Sequence, residues 1–119
     1  MLPDVRDAGY LLDMIQHAHG ISRALKNRTL QDYLSDEDLR LAVERRIEII
    51  GEAAKRVSRT FQDVHPEIPW GKIIAQRNLL THQYGEIEDE IVWAVATVSV
   101  PELIELLDRL VPSSEPVGL

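Results

Sequence analysis

The chain has 119 residues, 45% hydrophobic, 28% charged and 5% aromatic, about one ordinary domain by length, which excludes a disordered tail, a collagen-like repeat and a multi-domain enzyme. Thirteen Lys and Arg against twenty Asp and Glu give a formal charge of -7, which argues against capture of nucleic acid by the overall field and leaves only local RNA or DNA contacts. The absence of cysteine removes disulfides, thiolate zinc sites and cysteine nucleophiles together.

No segment suits a membrane: the charge-free stretch Ile91 to Pro101 is well short of the ~20 residues of a spanning helix and reads as a buried one. The start, Met1-Leu2-Pro3-Asp4, lacks the basic residues and apolar run of a secretory signal, so a cytoplasmic protein is expected.

Apolar residues recur with a helical period nearly throughout. The first helix is expected from Asp4, its N-cap, to about Arg28, with Val5, Ala8, Leu12, Ile15, Ile21 and Leu25 on its apolar stripe. Thr29 to Leu34 reads as a connector. Ser35-Asp36-Glu37-Asp38 reads as an N-cap and acidic first turn opening a long second helix to about Phe61. Its stripe, Leu39, Val43, Ile47, Ile50, Ala54, Val57 and Phe61, is the most regular in the chain. His65-Pro66-Glu67-Ile68-Pro69 is a loop, because residues before proline avoid the helical region.

A third helix is expected from Trp70 to about Thr81, stopped near Tyr84-Gly85. A fourth opens at Glu88-Asp89-Glu90 and carries Pro101, where a kink is expected. The expected architecture is an all-α, four- to five-helix up-and-down bundle, one domain over residues 1–110 with a flexible tail over 111–119.

The third helix breaks its own pattern. Trp70, Ile73, Ile74 and Leu80 define an apolar arc, and Arg77 falls near its middle, where arginine is costly unless an anion or a partner meets it. An interhelical ion pair would satisfy it equally well. His82 is five residues on, ~140° away on an ideal helix, so either the helix loosens before it or the two residues meet through a second chain. Asn78 stands at i,i+4 to His82 and could orient its ring.

His17 and His19 are ~200° apart on a helix, and with no Cys and no His-x-x-x-His pair no metal site is expected. No phosphate loop or serine elbow is present, and no cofactor is expected. Arg45, Arg56 and Arg59 form a candidate basic stripe on the second helix, interrupted by Glu48 and Glu52. A solvated face with intrahelical pairs is the simpler reading, and RNA phosphate contacts are the alternative. Glu86 to Asp108 holds seven acidic and no basic residues, which repels nucleic acid or attracts a basic partner.

Arg77-Asn78-Leu79-Leu80-Thr81-His82-Gln83-Tyr84 resembles the Arg-x4-His-x-Tyr motif of the HepT-like HEPN proteins, all-helical ribonuclease toxins of prokaryotes. Ile49-Ile50-Gly51-Glu52-Ala53-Ala54-Lys55-Arg56, Pro66-Glu67-Ile68-Pro69-Trp70 and Asp89-Glu90-Ile91-Val92-Trp93 resemble the family's flanking blocks in the same order.

The resemblance implies a metal-independent endoribonuclease acting on RNA as a homodimer, with Arg77 and His82 catalytic and Asn78 positioning the substrate. It also implies a partner, an MntA-type nucleotidyltransferase antitoxin that transfers AMP onto Tyr84. A non-catalytic helical binding subunit of a nucleotidyltransferase complex is the alternative, favoured by small size and acidic charge. A nucleotide-binding helical protein ranks last for want of a phosphate loop.

Overall fold

A computed structural model describes residues 4–82 and 89–110, with side chains for 4–76 and 89–110. The expected tail 111–119 lies outside the described residues. All regular structure among them is helical: α1 (Val5–Leu25), α2 (Leu30–Leu34), α3 (Glu37–Arg56), α4 (Arg59–Val64), α5 (Trp70–His82), α6 (Asp89–Ala94), a π-helical segment (Val95–Ser99) and α7 (Val100–Leu110). The last three are continuous in sequence and correspond to the single fourth helix expected. The core lies where α3 packs along both α1 and α5, with α7 closing against α1.

Asp4 caps α1, accepting a hydrogen bond from Asp7 N at 2.7 Å. The helix stops three residues earlier than the periodicity suggests, because Asn27 takes a left-handed conformation (φ 63°) that asparagine tolerates better than most residues. Its buried stripe runs through Leu11, Met14, Ile15, Ala18, Ile21 and Leu25. Val5 and Leu12, expected inside, are instead exposed. Two apolar faces compete here in the sequence, and contact with α3 and α7 selects one of them.

The expected connector contains α2, a single helical turn closed by a reciprocal capping box. Asp32 N donates to Thr29 Oγ1 (3.1 Å) and Thr29 N donates to Asp32 Oδ2 (2.9 Å). Its anchor is Tyr33, fully buried and tilted against Trp93 with ring centroids 5.5 Å apart. Ser35, expected to cap the long helix, ends α2 by donating Oγ–H to Gln31 O at 2.9 Å. Asp36 is the cap of α3, accepting from Leu39 N at 3.0 Å.

The long-helix stripe is buried as expected, from Leu39 through Phe61, but the helix is not continuous. It ends at Arg56, and Ser58 starts α4 by accepting from Phe61 N at 3.2 Å. Gln62 Nε2 donates back to Ala54 O (3.2 Å) and Val57 O (3.0 Å), satisfying carbonyls that the break leaves open. At the expected Pro101 kink the structure places the π-helical segment. Proline supplies no N–H, and a π turn is one way a helix absorbs such a defect. Thr97 Oγ1 of this segment donates to Trp93 O of α6 at 2.7 Å. Ile91 and Val98, read as part of a buried helix, are 47% and 59% exposed.

Candidate functional site

The element carrying the motif is anchored at its start. Ile68 is almost wholly buried, and Trp70 Nε1 donates to His65 O at 3.0 Å. Trp70 meets Phe61 edge-on with centroids 6.4 Å apart, and the His65 ring lies 4.5 Å from Phe61. His65 Nδ1 is 3.0 Å from a Glu67 carboxylate oxygen. The Glu67 carboxyl sits below its ordinary pKa, owing first to a backbone hydrogen bond and then to His65. This arrangement fixes the direction in which α5 leaves the loop.

Beyond that anchor α5 is helical through His82. The helix therefore does not loosen before His82, and positions 77 and 82 are separated by ~140° around its axis and ~7.5 Å along it. One helix does not bring them onto a common face. The backbone of Arg77, Asn78 and His82 is described, their side chains are not, and Tyr84 lies outside the described residues.

Next to α5 runs an apolar groove of about 230 Å³, walled by Ile47 and Ile50 of α3, Ile73 of α5 and Val95, Val100 and Leu103 of the last helical stretch. Lys72, Gln76 and Ser99 supply its polar groups, with Glu67 and Glu102 at the rim. The groove continues toward α6 past Ile91 and Val98. The π-helical segment lines it through Val95 and Ser99, so the backbone irregularity sits beside the motif helix.

The candidate basic stripe is less uniform than its sequence. Arg45 and Arg56 belong to α3, whereas Arg59 belongs to the separate α4. Arg45 lies 3.9 Å from Glu48, and Arg59 lies 3.1 Å from Asp63. Arg56 is exposed near the end of α3.

The two histidines of α1 meet different helices: His17 Nδ1 is 3.0 Å from Arg46 Nη1 of α3, and His19 Nε2 is 3.5 Å from Asp108 of α7. Among the described residues no group of three or more His, Asp or Glu side chains could hold a metal ion, and no helix is long and apolar enough to cross a membrane. The contact between His17 and Arg46 was not legible from spacing. The only hint in the sequence is Gly20, a residue that weakens a helix interior unless something approaches closely.

The family model described as Ribonuclease HepT-like matches residues 14–110. The chain belongs to the ribonuclease HepT-like family. Within the family it is 32% identical over 101 residues to a probable ribonuclease HepT of Thermococcus cleftensis, covering 85% of this chain and 92% of that one. It is 32% identical over 94 residues to a candidate RNase of Caldanaerobacter subterraneus, covering 79% and 84%. A candidate RNase of Methanocaldococcus jannaschii is 30% identical over 112 residues, covering 94% and 91%. No solved structure matches the chain significantly. The family match includes α5 in full, with Arg77, Asn78 and His82.

Proposed function

We propose that this chain is a metal-independent endoribonuclease, the toxin of a prokaryotic toxin-antitoxin pair, working as a homodimer. The observation that carries the reading is the family match over residues 14–110, which contains the Arg-x4-His segment.

The chemistry follows from the residue types. The ribose 2′-hydroxyl attacks the adjacent phosphorus: the O2′–P bond forms and the P–O5′ bond breaks. His82 takes the proton from O2′, or delivers one to the departing O5′, since imidazole alone titrates near neutrality without perturbation. Arg77 binds the phosphate through its planar fork and stabilises the charge that builds on it. Asn78 positions the substrate. The products are a 2′,3′-cyclic phosphate and a 5′-hydroxyl, and DNA, lacking the attacking group, is resistant. Arg45, Arg56 and Arg59 are candidate contacts to flanking phosphates.

Two observations support a site shared between two copies. The helix continues through His82, so one chain does not present positions 77 and 82 together. Exposed Ile91 and Val98 extend apolar surface beside α5, of the kind that self-association covers.

The control element is a nucleotidyltransferase antitoxin that transfers AMP from ATP onto the Tyr84 hydroxyl, the Tyr O–P bond forming as the bond to the departing pyrophosphate breaks. The added anion would compete with the RNA phosphate for Arg77 and fill the cleft.

The test is cleavage of RNA in the presence of chelator by wild type, Arg77→Ala and His82→Ala. Wild type is expected to leave cyclic-phosphate ends, and each variant to lose about a hundredfold or more. Cleavage that survives both substitutions overturns the site assignment. An inert, unmodified wild type favours the non-catalytic binding subunit.

A further inference from the structure

Where α1 packs on α3, one arginine is held unlike the others. The guanidinium of Arg46 lies in the space that a Cβ on Gly20 would occupy, so it rests against the backbone of α1 only because residue 20 is glycine. Its Nη1 donates to His17 Nδ1 at 3.0 Å. That bond requires Nδ1 to be unprotonated, which leaves the imidazole proton on Nε2, a second donor. Glycine and histidine, three residues apart on α1, thus fix the orientation of one half-buried cation.

Four other arginines of this acidic chain have carboxylates within 4 Å. Arg28 is 3.7 Å from Asp36, Arg40 is 3.7 Å from Asp89, Arg45 is 3.9 Å from Glu48 and Arg59 is 3.1 Å from Asp63. Among the described residues Arg46 forms no such ion pair, and its guanidinium meets the His17 ring instead. A half-buried guanidinium whose orientation is already fixed loses little freedom on meeting an anion, and its remaining N–H groups form the fork that suits phosphate.

We propose that Arg46 and His17, seated over Gly20, form a phosphate-binding notch separate from the motif on α5. The Arg46 fork takes two phosphate oxygens, and His17, accepting at Nδ1, holds the guanidinium in that orientation. The ligand is a phosphate, either of an RNA backbone or of a free nucleotide or inorganic ion.

The local electrostatics agree. His17 is held below its ordinary pKa by burial first, then by Arg46 and Arg45, against the opposing pull of Asp13 one turn away. A phosphate would offset the two arginines and so remove their part of that shift. From α7, the neighbouring His19 faces Asp108, which leaves His17 as the histidine on the Arg46 side. The notch does not rest on the ribonuclease reading, because it shares no residue with the motif.

The test is an NMR titration of the histidine rings of the full chain with sodium phosphate, against sodium chloride at equal ionic strength. Phosphate is expected to raise the His17 pKa toward the ordinary imidazole value and to move the Gly20 amide signal, leaving His65 unchanged. Arg46→Gln is expected to abolish the phosphate response while the remaining spectrum stays folded. Two results overturn the proposal: chloride reproducing the shift, or phosphate leaving both His17 and Gly20 unmoved in wild type. The wild-type measurement decides even if the variant fails to fold. A 2′-O-methyl RNA oligomer and adenosine monophosphate then identify the source. An oligomer effective at about tenfold lower concentration points to an RNA backbone, and equal potency points to a free phosphate compound.

Discussion

Asp7 and Ser58, fifty-one residues apart, form a two-point clasp: the Asp7 carboxylate accepts from Ser58 N at 2.8 Å and from Ser58 Oγ at 2.6 Å. Ser58 Oγ in turn accepts from Phe61 N, so one serine caps α4 while tying it to α1. Asp7 is only 4% exposed, and a buried carboxylate persists only when its oxygens are met in this way. Asp7→Ala is expected to cost about 2–3 kcal/mol and Ser58→Ala about 1–2 kcal/mol. The double variant should cost less than their sum, because both changes remove the same bonds. Urea unfolding of the three variants checks this, and strict additivity would show that the clasp is not a unit.

Tyr33 presents the opposite case. Its ring is fully buried, and its hydroxyl has no hydrogen-bond partner among the described residues. Burial accordingly pushes the phenol pKa well upward. Tyr33→Phe removes an unsatisfied group while keeping the contact with Trp93, and is expected to stabilise the fold by about 1 kcal/mol. A loss of similar size on thermal unfolding would mean that the hydroxyl does find a partner.

Glu44 gives the fold a pH dependence. Burial raises its pKa first, followed by the charge of Asp89, with Arg40 opposing. Arg40 is already committed, with Nε 3.7 Å from Asp89. A raised folded-state pKa means that the folded chain binds more protons than the unfolded one across that interval. This residue's contribution to stability is then complete below the ordinary carboxylate pKa and lost as pH rises through the raised value. Glu44→Gln should raise Tm at neutral pH and leave it nearly unchanged in mild acid. A variant that shifts Tm equally at both pH values would contradict the argument.

His17 acts with the opposite slope. Its folded pKa is lowered, so its contribution is present above the ordinary imidazole value and lost as pH falls through the depressed one. In the absence of phosphate, His17→Gln should flatten the Tm profile just below neutrality, and an unchanged profile would exclude His17 as its source.

The three candidate RNA-contacting arginines should not be equivalent. Arg45 and Arg59 lie beside Glu48 and Asp63, which offsets part of their attraction for a phosphate. Arg56→Ala is therefore expected to reduce the salt dependence of RNA binding by about 0.7 in slope, the value for one single-strand phosphate contact. Arg59→Ala should change it less. Binding measured across salt concentrations with the cleavage-inactive His82→Ala chain separates the two, and an unchanged slope for Arg56→Ala would remove Arg56 from the interface.

If the apolar surface beside α5 is shared between two copies, a charge there should separate them. Val98 is 59% exposed, and Val98→Glu is expected to shift the light-scattering mass from dimer toward monomer and to lower RNA cleavage in parallel. A monomeric wild type at micromolar concentration would remove the composite cleft.

An apolar pattern decides packing most fully where a single helix face has to be apolar. The α3 stripe from Leu39 to Phe61 is buried residue by residue, because strict three- and four-residue steps leave a helix one way to pack. On α1 the sequence offers two faces, and Leu11 and Met14 rather than Val5 and Leu12 turned inward. Caps were legible in kind but not in position: Asp36 took the place expected of Ser35, since Ser35 closes α2. A five-residue helix such as α2 has too few residues to show a period and exists through its capping box and the burial of Tyr33.

The sequence alone determined an all-helical chain with a regular apolar stripe on its central helix and a helix after Pro69, because these depend on period, local chemistry and order along the chain. Only the tertiary structure decided which face of α1 is buried, that α3 breaks at Ser58 to be clasped by Asp7, and that Arg46 rests on Gly20 beside His17. Those contacts join residues 26 to 51 positions apart, and the spacing of residues within one helix carries no information about which side chain another helix will bring against it.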